Sequence, residues 1–239
     1  MQKSIIIPAF NEEPRIGLIL KELQPLVNEF EIIVVDDGST DNTSYEVQKY
    51  PYVRLITLPE NRCKTWAVYE GIERASGEII VLLDADLVNF KHKFVQMLAA
   101  PLENNAADLT ILKRDGKDSF IWRILKLTPA TTGERAFYKR DFLKIGIPKE
   151  SAFFLELLIN QYYLENKKQI EILPVYLKNT FKYQKYGLKG IFYDIQVVSD
   201  FVAKFGVLFF FRHCYKMAAL EKTKRRFDHD CETVGKIQA

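Results

Sequence analysis

The sequence is short of cysteine, histidine and long apolar runs, and each shortage excludes a class of protein. Three cysteines in 239 residues, Cys63, Cys214 and Cys231, stand apart with no Cys-x-x-Cys pair. That excludes a disulfide scaffold and a cysteine metal site, and the three read as reduced thiols of a cytosolic protein. His92, His213 and His229 are equally scattered, which leaves no histidine metal site. No stretch approaches the roughly 18 consecutive apolar residues of a transmembrane helix; the nearest, residues 201–211, contains Lys204. Met1-Gln2-Lys3 leads into too short an apolar run for a secretory signal, whose apolar region takes roughly 7–15 residues. Glycine is missing where a dinucleotide-binding oxidoreductase needs G-x-G-x-x-G. Pro8-Ala9-Phe10-Asn11-Glu12-Glu13 stands there instead, and the next glycine is Gly17.

What is present is ample apolar material. At 48% hydrophobic residues the chain can bury a core in one domain, and disorder is excluded. Net charge is +3 but unevenly spread: residues 178–239 hold 12 Lys and Arg against 6 Asp and Glu, the remainder 22 against 25. The basic excess sits at the C-terminal end, where it calls for an anionic partner or a solvated tail.

Ser4–Pro8, Glu31–Asp36, Val53–Leu58 and Glu78–Asp84 are continuous apolar runs, the pattern of parallel strands buried on both faces. Residues 12–27, 42–49 and 61–75 between them are long enough for crossover helices. Alternation of this kind predicts an α/β fold with a mostly parallel central sheet flanked by helices. Further along, helices are expected at 91–100, 119–127 and 152–166, and strands at 108–112, 134–138 and 171–178. Trp66 and Trp122 read as core anchors.

In an open parallel sheet, ligands bind beyond the carboxyl ends of the strands. Three polar clusters fall there: the segment Pro8–Glu13, then Asp36-Asp37-Gly38-Ser39-Thr40-Asp41, then Asp84-Ala85-Asp86. With a strand running to Asp84, Asp84 and Asp86 point the same way and converge. Two carboxylates so close are relieved by a cation, and Mg2+ or Mn2+ would bridge them to substrate phosphates. Asp and Ser also make turns and helix caps, a sufficient account of Ser39 or Asp41. Two adjacent carboxylates exceed what a cap requires, so Asp37 is expected to accept hydrogen bonds from a nucleoside. Glu12 opens a helix, where a carboxylate also suits the dipole.

The order PAFNEE, VVDDGSTDNT, LLDAD resembles the family 2 glycosyltransferases of the GT-A fold over roughly the first 90 residues. The resemblance implies a nucleotide-sugar donor (a UDP- or GDP-hexose), a divalent metal and inversion at the anomeric carbon. By the same resemblance Pro8, Phe10, Glu12, Val35 and Asp37 line the nucleoside pocket. Asp84 and Asp86 meet the metal and diphosphate, with Ala85 between them in the donor site. Lys113-Arg114, Trp122-Arg123, the Thr132–Phe137 run, Phe153-Phe154-Leu155-Glu156 and Lys185-Tyr186-Gly187-Leu188-Lys189 are similar to segments of the polyprenyl-phosphate (dolichyl-phosphate) sugar synthases. Glu134 stands where that group has an aromatic residue.

A departing diphosphate gains negative charge, and cations placed where it develops stabilise it. Arg114, Arg123, Lys185 and Lys189 are the candidates. Glu156 sits in an apolar helix, where an unpaired acid is costly. A hydroxyl acceptor would need it as a base; with a phosphate acceptor it would position a cation or the sugar. Residues 1–190 are expected to form the catalytic domain. Residues 191–239, rich in aromatics beside cations, form an appendage suited to an anionic membrane face or to packing on the core. The acidic clusters argue against nucleic acid. The expected activity is hexose transfer to polyprenyl phosphate at the cytoplasmic membrane face. The alternatives are a glycan or lipid hydroxyl acceptor, and a catalytically silent nucleotide-sugar sensor.

Overall fold

The computed structural model describes residues 1–114, 132–146, 155–175, 178–179, 199, 202–203 and 206–220. In chain order the elements are β1 (Lys3–Ala9), α1 (Glu13–Leu23), β2 (Glu31–Asp36), α2 (Thr43–Gln48), β3 (Val53–Thr57), α3 (Lys64–Arg74) and β4 (Ile79–Leu82). They continue with β5 (Leu87–Val88), α4 (Lys93–Glu103), β6 (Leu109–Arg114), β7 (Arg135–Tyr138), α5 (Lys139–Ile145), α6 (Leu155–Glu165), β8 (Ile170–Val175) and β9 (Lys178–Asn179). A last helical segment, α7, spans residues 207–220. The helix expected at 119–127, with Trp122, lies outside the described residues.

Seven strands form one sheet in the order β3-β2-β1-β4-β7-β6-β8. Only β7 runs antiparallel to its neighbours. The apolar runs are continuous because both faces are covered. Ile5, Ile7, Ile32, Val34, Ile79 and Val81 face the core under α1, α2 and α4. Ile6, Ile33, Val35, Ile80 and Leu82 face the second core, under α3, α5 and α6. Each fully buried Ile of β1 contributes about 1.5–3 kcal/mol relative to an exposed one.

Two of the boundaries that differ from expectation shape the site. Pro8 does not end β1, which runs to Ala9 with Pro8 opposite Val35. Pairing with β4 stops at Ile6 and Leu82, so no ladder donor is required of Pro8. Strand β4 in turn ends at Leu82, two residues before Asp84. The carboxylates of Asp84 and Asp86 are therefore presented by a turn, and strand alternation does not align them. The first crossover helix stops at Leu23, where Pro25 begins a tighter turn over Gln24–Leu26.

The final helix packs on the second core through Phe210, Cys214 and Met217, one face at helical spacing. Neither Cys63 nor Cys214 is in a disulfide, and burial pushes the Cys214 thiol up to about 12. No helix among the described residues is long and apolar enough to cross a membrane.

Candidate active site

The loops after β1 and β2 are laced together by short side chains. The Asn11 N–H donates to Ser39 Oγ at 2.9 Å, and Asn11 Oδ1 accepts from the Thr40 N–H at 2.9 Å. The Glu12 N–H donates to Thr43 Oγ1 at 2.8 Å, and the Glu12 carboxylate pairs with Arg15 at 2.5 Å. Asp36 accepts from the Ser39 N–H at 2.9 Å and from the Ser44 hydroxyl. Asp41 accepts from the Thr43 N–H at 2.9 Å. Asp36 and Asp41 are thus loop-builders. Phe10 is exposed, Pro8 half-buried and Glu12 buried. Val35 is fully buried against Gly71 of α3 and has no exposed surface to offer a ligand.

Asp37 is buried, and its carboxylate accepts the Arg62 N–H at 2.8 Å and the Cys63 N–H. Burial raises its pKa; these two bonds pull the other way without cancelling the shift, and the charge of Asp36 adds to it. The segment it holds approaches closely. A β-carbon on Gly38, whose φ is +69°, would fall 2.4 Å from the Glu60 carbonyl carbon. Cys63 lies at φ 78°, ψ 158°, a region open essentially to glycine that costs an ordinary residue about 1–3 kcal/mol. Arg62 stacks its guanidinium 3.4 Å from the Trp66 ring centroid. Trp66 is half-buried at the edge of the second core, an anchor and a platform at once.

Lys64, the residue after Cys63, brings together two carboxylates from distant parts of the chain. Its Nζ lies 2.6 Å from Asp84 Oδ1 and 2.7 Å from Glu156 Oε1. The three side chains are 32%, 20% and 14% exposed, so the cluster sits at the water boundary, where a ligand can reach it. Burial works to lower the pKa of Lys64, but the charges of Asp84 and Glu156 outweigh it and raise it above the usual lysine value.

Behind the cluster, Arg135 is fully buried. It donates to the Glu156 carbonyl at 3.1 Å, to Asn160 Oδ1 at 3.0 Å and to the Thr132 carbonyl. Burial draws its pKa down, opposed by the charges of Glu156, Glu134 and Asp84. Gly133 completes the setting: a β-carbon there would stand 2.4 Å from Asp84 Oδ2.

Asp86 is half-buried and Ala85 buried in the same turn. Among the described residues no group of three or more His, Cys, Asp or Glu could hold a metal alone. Two carboxylates suit a cation that takes its remaining ligands from water and substrate phosphates, as Mg2+ does. The absence of a side chain at Gly133 gives the Asp84 carboxylate its place at the strand end, which fits that use. Arg114 ends β6 opposite Val175, while Arg123, Lys185 and Lys189 lie outside the described residues. Sequence reasoning missed Lys64 and gave Arg135 no role. A lysine opening a helix with no acid in its first turn opposes the helix dipole, and that was the available signal.

Known proteins resemble this chain in sequence and in fold. A profile of glycosyl transferase family 2 matches residues 4–166. The chain is 31% identical over 133 residues to dodecaprenyl-phosphate galacturonate synthase of Rhizobium johnstonii, covering 52% of this chain and 39% of that protein. It is 27% identical over 219 residues to undecaprenyl-phosphate 4-deoxy-4-formamido-L-arabinose transferase of Proteus mirabilis, covering 80% and 66%. It is 38% identical over 100 residues to human dolichyl-phosphate beta-glucosyltransferase, covering 36% and 31%. The matched region thus spans from about a third to two thirds of these relatives. Among solved structures, glucosyl-3-phosphoglycerate synthase from Mycobacterium tuberculosis, in complex with Mn2+, UDP and glucosyl-3-phosphoglycerate, superimposes with a TM-score of 0.69. That match has 22% identity and covers 86% of this chain and 80% of that one. At this identity the likeness is one of fold, and it is the GT-A fold expected.

Proposed function

The chain belongs to glycosyl transferase family 2, and from that membership we propose that it moves a hexose from UDP or GDP to a polyprenyl phosphate, inverting the anomeric carbon. The observation that carries the reading is the seating of Asp84 just beyond β4, with Asp86 two residues on and Gly133 leaving its carboxylate room. An open sheet binds its ligands at such a strand end. The polyprenyl-phosphate acceptors in the names of three relatives support the acceptor class.

In this reading Asp84 and Asp86 hold Mg2+ or Mn2+, which when bound supplies positive charge against the departing diphosphate. Pro8, Phe10, Glu12 and Asp37 border the nucleoside, and Asp37 also holds the backbone of residues 62–63 in place. Arg114, Arg123, Lys185 and Lys189 are the cations for phosphate groups. The acceptor phosphate is already an anion and needs no base. Glu156, whose oxygen accepts from Lys64 at 2.7 Å, therefore positions a cation. A hydroxyl acceptor would require Glu156 as a base, and its contact with Lys64 weighs against that.

The second half of the proposal is the membrane. Residues 1–190 are the catalytic domain, and 191–239 bring it to the cytoplasmic membrane face. Support comes from α7, whose outer side exposes Leu208 (87%), Phe211, Arg212, Tyr215 (71%) and Lys216. Apolar and aromatic groups beside cations on one face suit the interface of an anionic bilayer.

The test is incubation with UDP- and GDP-hexoses, Mn2+ and a short-chain polyprenyl phosphate, with products read by mass spectrometry. A hexose joined to the lipid phosphate is expected. Transfer only to hydroxyl acceptors, or an untouched donor, would overturn the reading.

A further inference from the structure

Lys64 joins the two sides of the site, and the reaction scheme above gives it no part beyond its contact with Glu156. It opens α3, where the dipole disfavours a cation, and no acid stands in that first turn. Its partners come from elsewhere in the chain: Asp84 is 20 positions away and Glu156 is 92. Arg135 cannot take its place. That guanidinium is committed to the Glu156 carbonyl, Asn160 and the Thr132 carbonyl.

We propose that Lys64 is a positioning residue whose ammonium occupies the Asp84 carboxylate until a divalent cation enters, while tying Glu156 to the donor side. The inference rests on Asp84 being a metal ligand, as assigned above. The argument is one of charge. Asp84 and Glu156 are both within hydrogen-bond distance of one nitrogen, and like charges that close are tolerated only with a cation between them. Lys64 supplies that cation in the free protein. A divalent cation competes for the same carboxylate, so each weakens the other's hold, and the coupling is reciprocal. The free protein accordingly holds metal weakly and gains affinity when a diphosphate adds its own oxygens. Entry of the cation then leaves Lys64 on Glu156 alone.

The test is Mn2+ binding by electron paramagnetic resonance, without nucleotide, for the full chain, Lys64→Met, Lys64→Arg and Asp84→Asn. Lys64→Met is expected to bind Mn2+ about tenfold tighter or more, within the roughly 5–150-fold range of such couplings. Lys64→Arg retains the wild-type affinity, and Asp84→Asn loses binding. An affinity in Lys64→Met equal to or weaker than wild type overturns the inference and leaves the proposed activity standing. If no protein binds Mn2+, even with UDP added, the metal assignment and this inference fall together. Should Lys64→Met not fold, the wild-type protein provides the second measurement. Acylation of the Lys64 amine, followed by peptide mass spectrometry, is expected to increase when Mn2+ and UDP are added. Unchanged labelling overturns the inference.

Discussion

A β-carbon on residue 133 would stand 2.4 Å from Oδ2 of Asp84, so Gly133 and Asp84 share one small volume at the end of β4. The aspartate keeps its orientation because residue 133 has no side chain. Gly133→Ala is predicted to displace the carboxylate. A misplacement of about 1 Å costs on the order of 10²-fold in rate, so donor turnover should fall by about that factor. Steady-state kinetics beside an unchanged far-UV circular dichroism spectrum checks this; full activity would show that Asp84 does not need that room.

Glu156 offers a sharper test of the acceptor. Its hydrogen bond from Lys64 can be kept by a glutamine oxygen. Glu156→Gln is therefore predicted to retain transfer to polyprenyl phosphate within about tenfold, whereas loss of a general base costs about 10²–10⁴-fold. A loss in that larger range would restore Glu156 as the base and favour a hydroxyl acceptor.

Much of the fold could be read from the sequence, and less of the site. The runs at Ser4–Pro8, Glu31–Asp36 and Glu78–Asp84 announced buried parallel strands because both faces of the sheet are covered. The same continuity hid which residues face a ligand: Val35 belongs to the core. It also hid where β4 stops, which depends on pairing with Ile6 and not on the Ile-Ile-Val-Leu-Leu run itself. Asp84 and Asp86 were legible as sequence neighbours at a strand end, but the turn that presents them was not, because β4 stops at Leu82. Lys64 and Arg135 were not, because their partners meet them only through the tertiary fold. Asp37 was singled out for a ligand, and its bond to the Arg62 N–H shows the same carboxylate also building the loop.

His213 makes stability depend on pH. It is buried on α7 with no hydrogen-bond partner for Nε2 among the described residues. Burial lowers its pKa from 6.5 to about 4, with the charges of Arg135 and Lys216 adding to the shift. Between those values the unfolded chain takes up a proton that the folded chain refuses. The contribution is therefore intact above pH 6.5 and lost as pH falls toward 4. From pH 7 to pH 5 the loss should be about 2 kcal/mol. Urea denaturation at the two pH values measures it, and His213→Phe should remove most of this difference. An equal pH response in the variant would contradict the assignment.

The exposed face of α7 predicts lipid binding. Leu208→Asp combined with Phe211→Asp changes two exposed side chains, so the fold should be spared. Each apolar side chain buried in a bilayer is worth about 1.5–3 kcal/mol. Co-sedimentation with anionic vesicles should therefore fall by about tenfold or more. Wild-type binding should also weaken with neutral vesicles, since each Lys or Arg contributes about 1 kcal/mol near an anionic surface. Binding that is unaffected by the double substitution would remove α7 as the membrane face.

The most direct measurement is hexose transfer to a short polyprenyl phosphate with Mn2+, with EDTA in place of Mn2+, and for Asp86→Asn with Mn2+. The account predicts hexosyl lipid phosphate in the first reaction and its near-absence in the other two. Product formed equally in all three would contradict a mechanism built on Asp84 and Asp86.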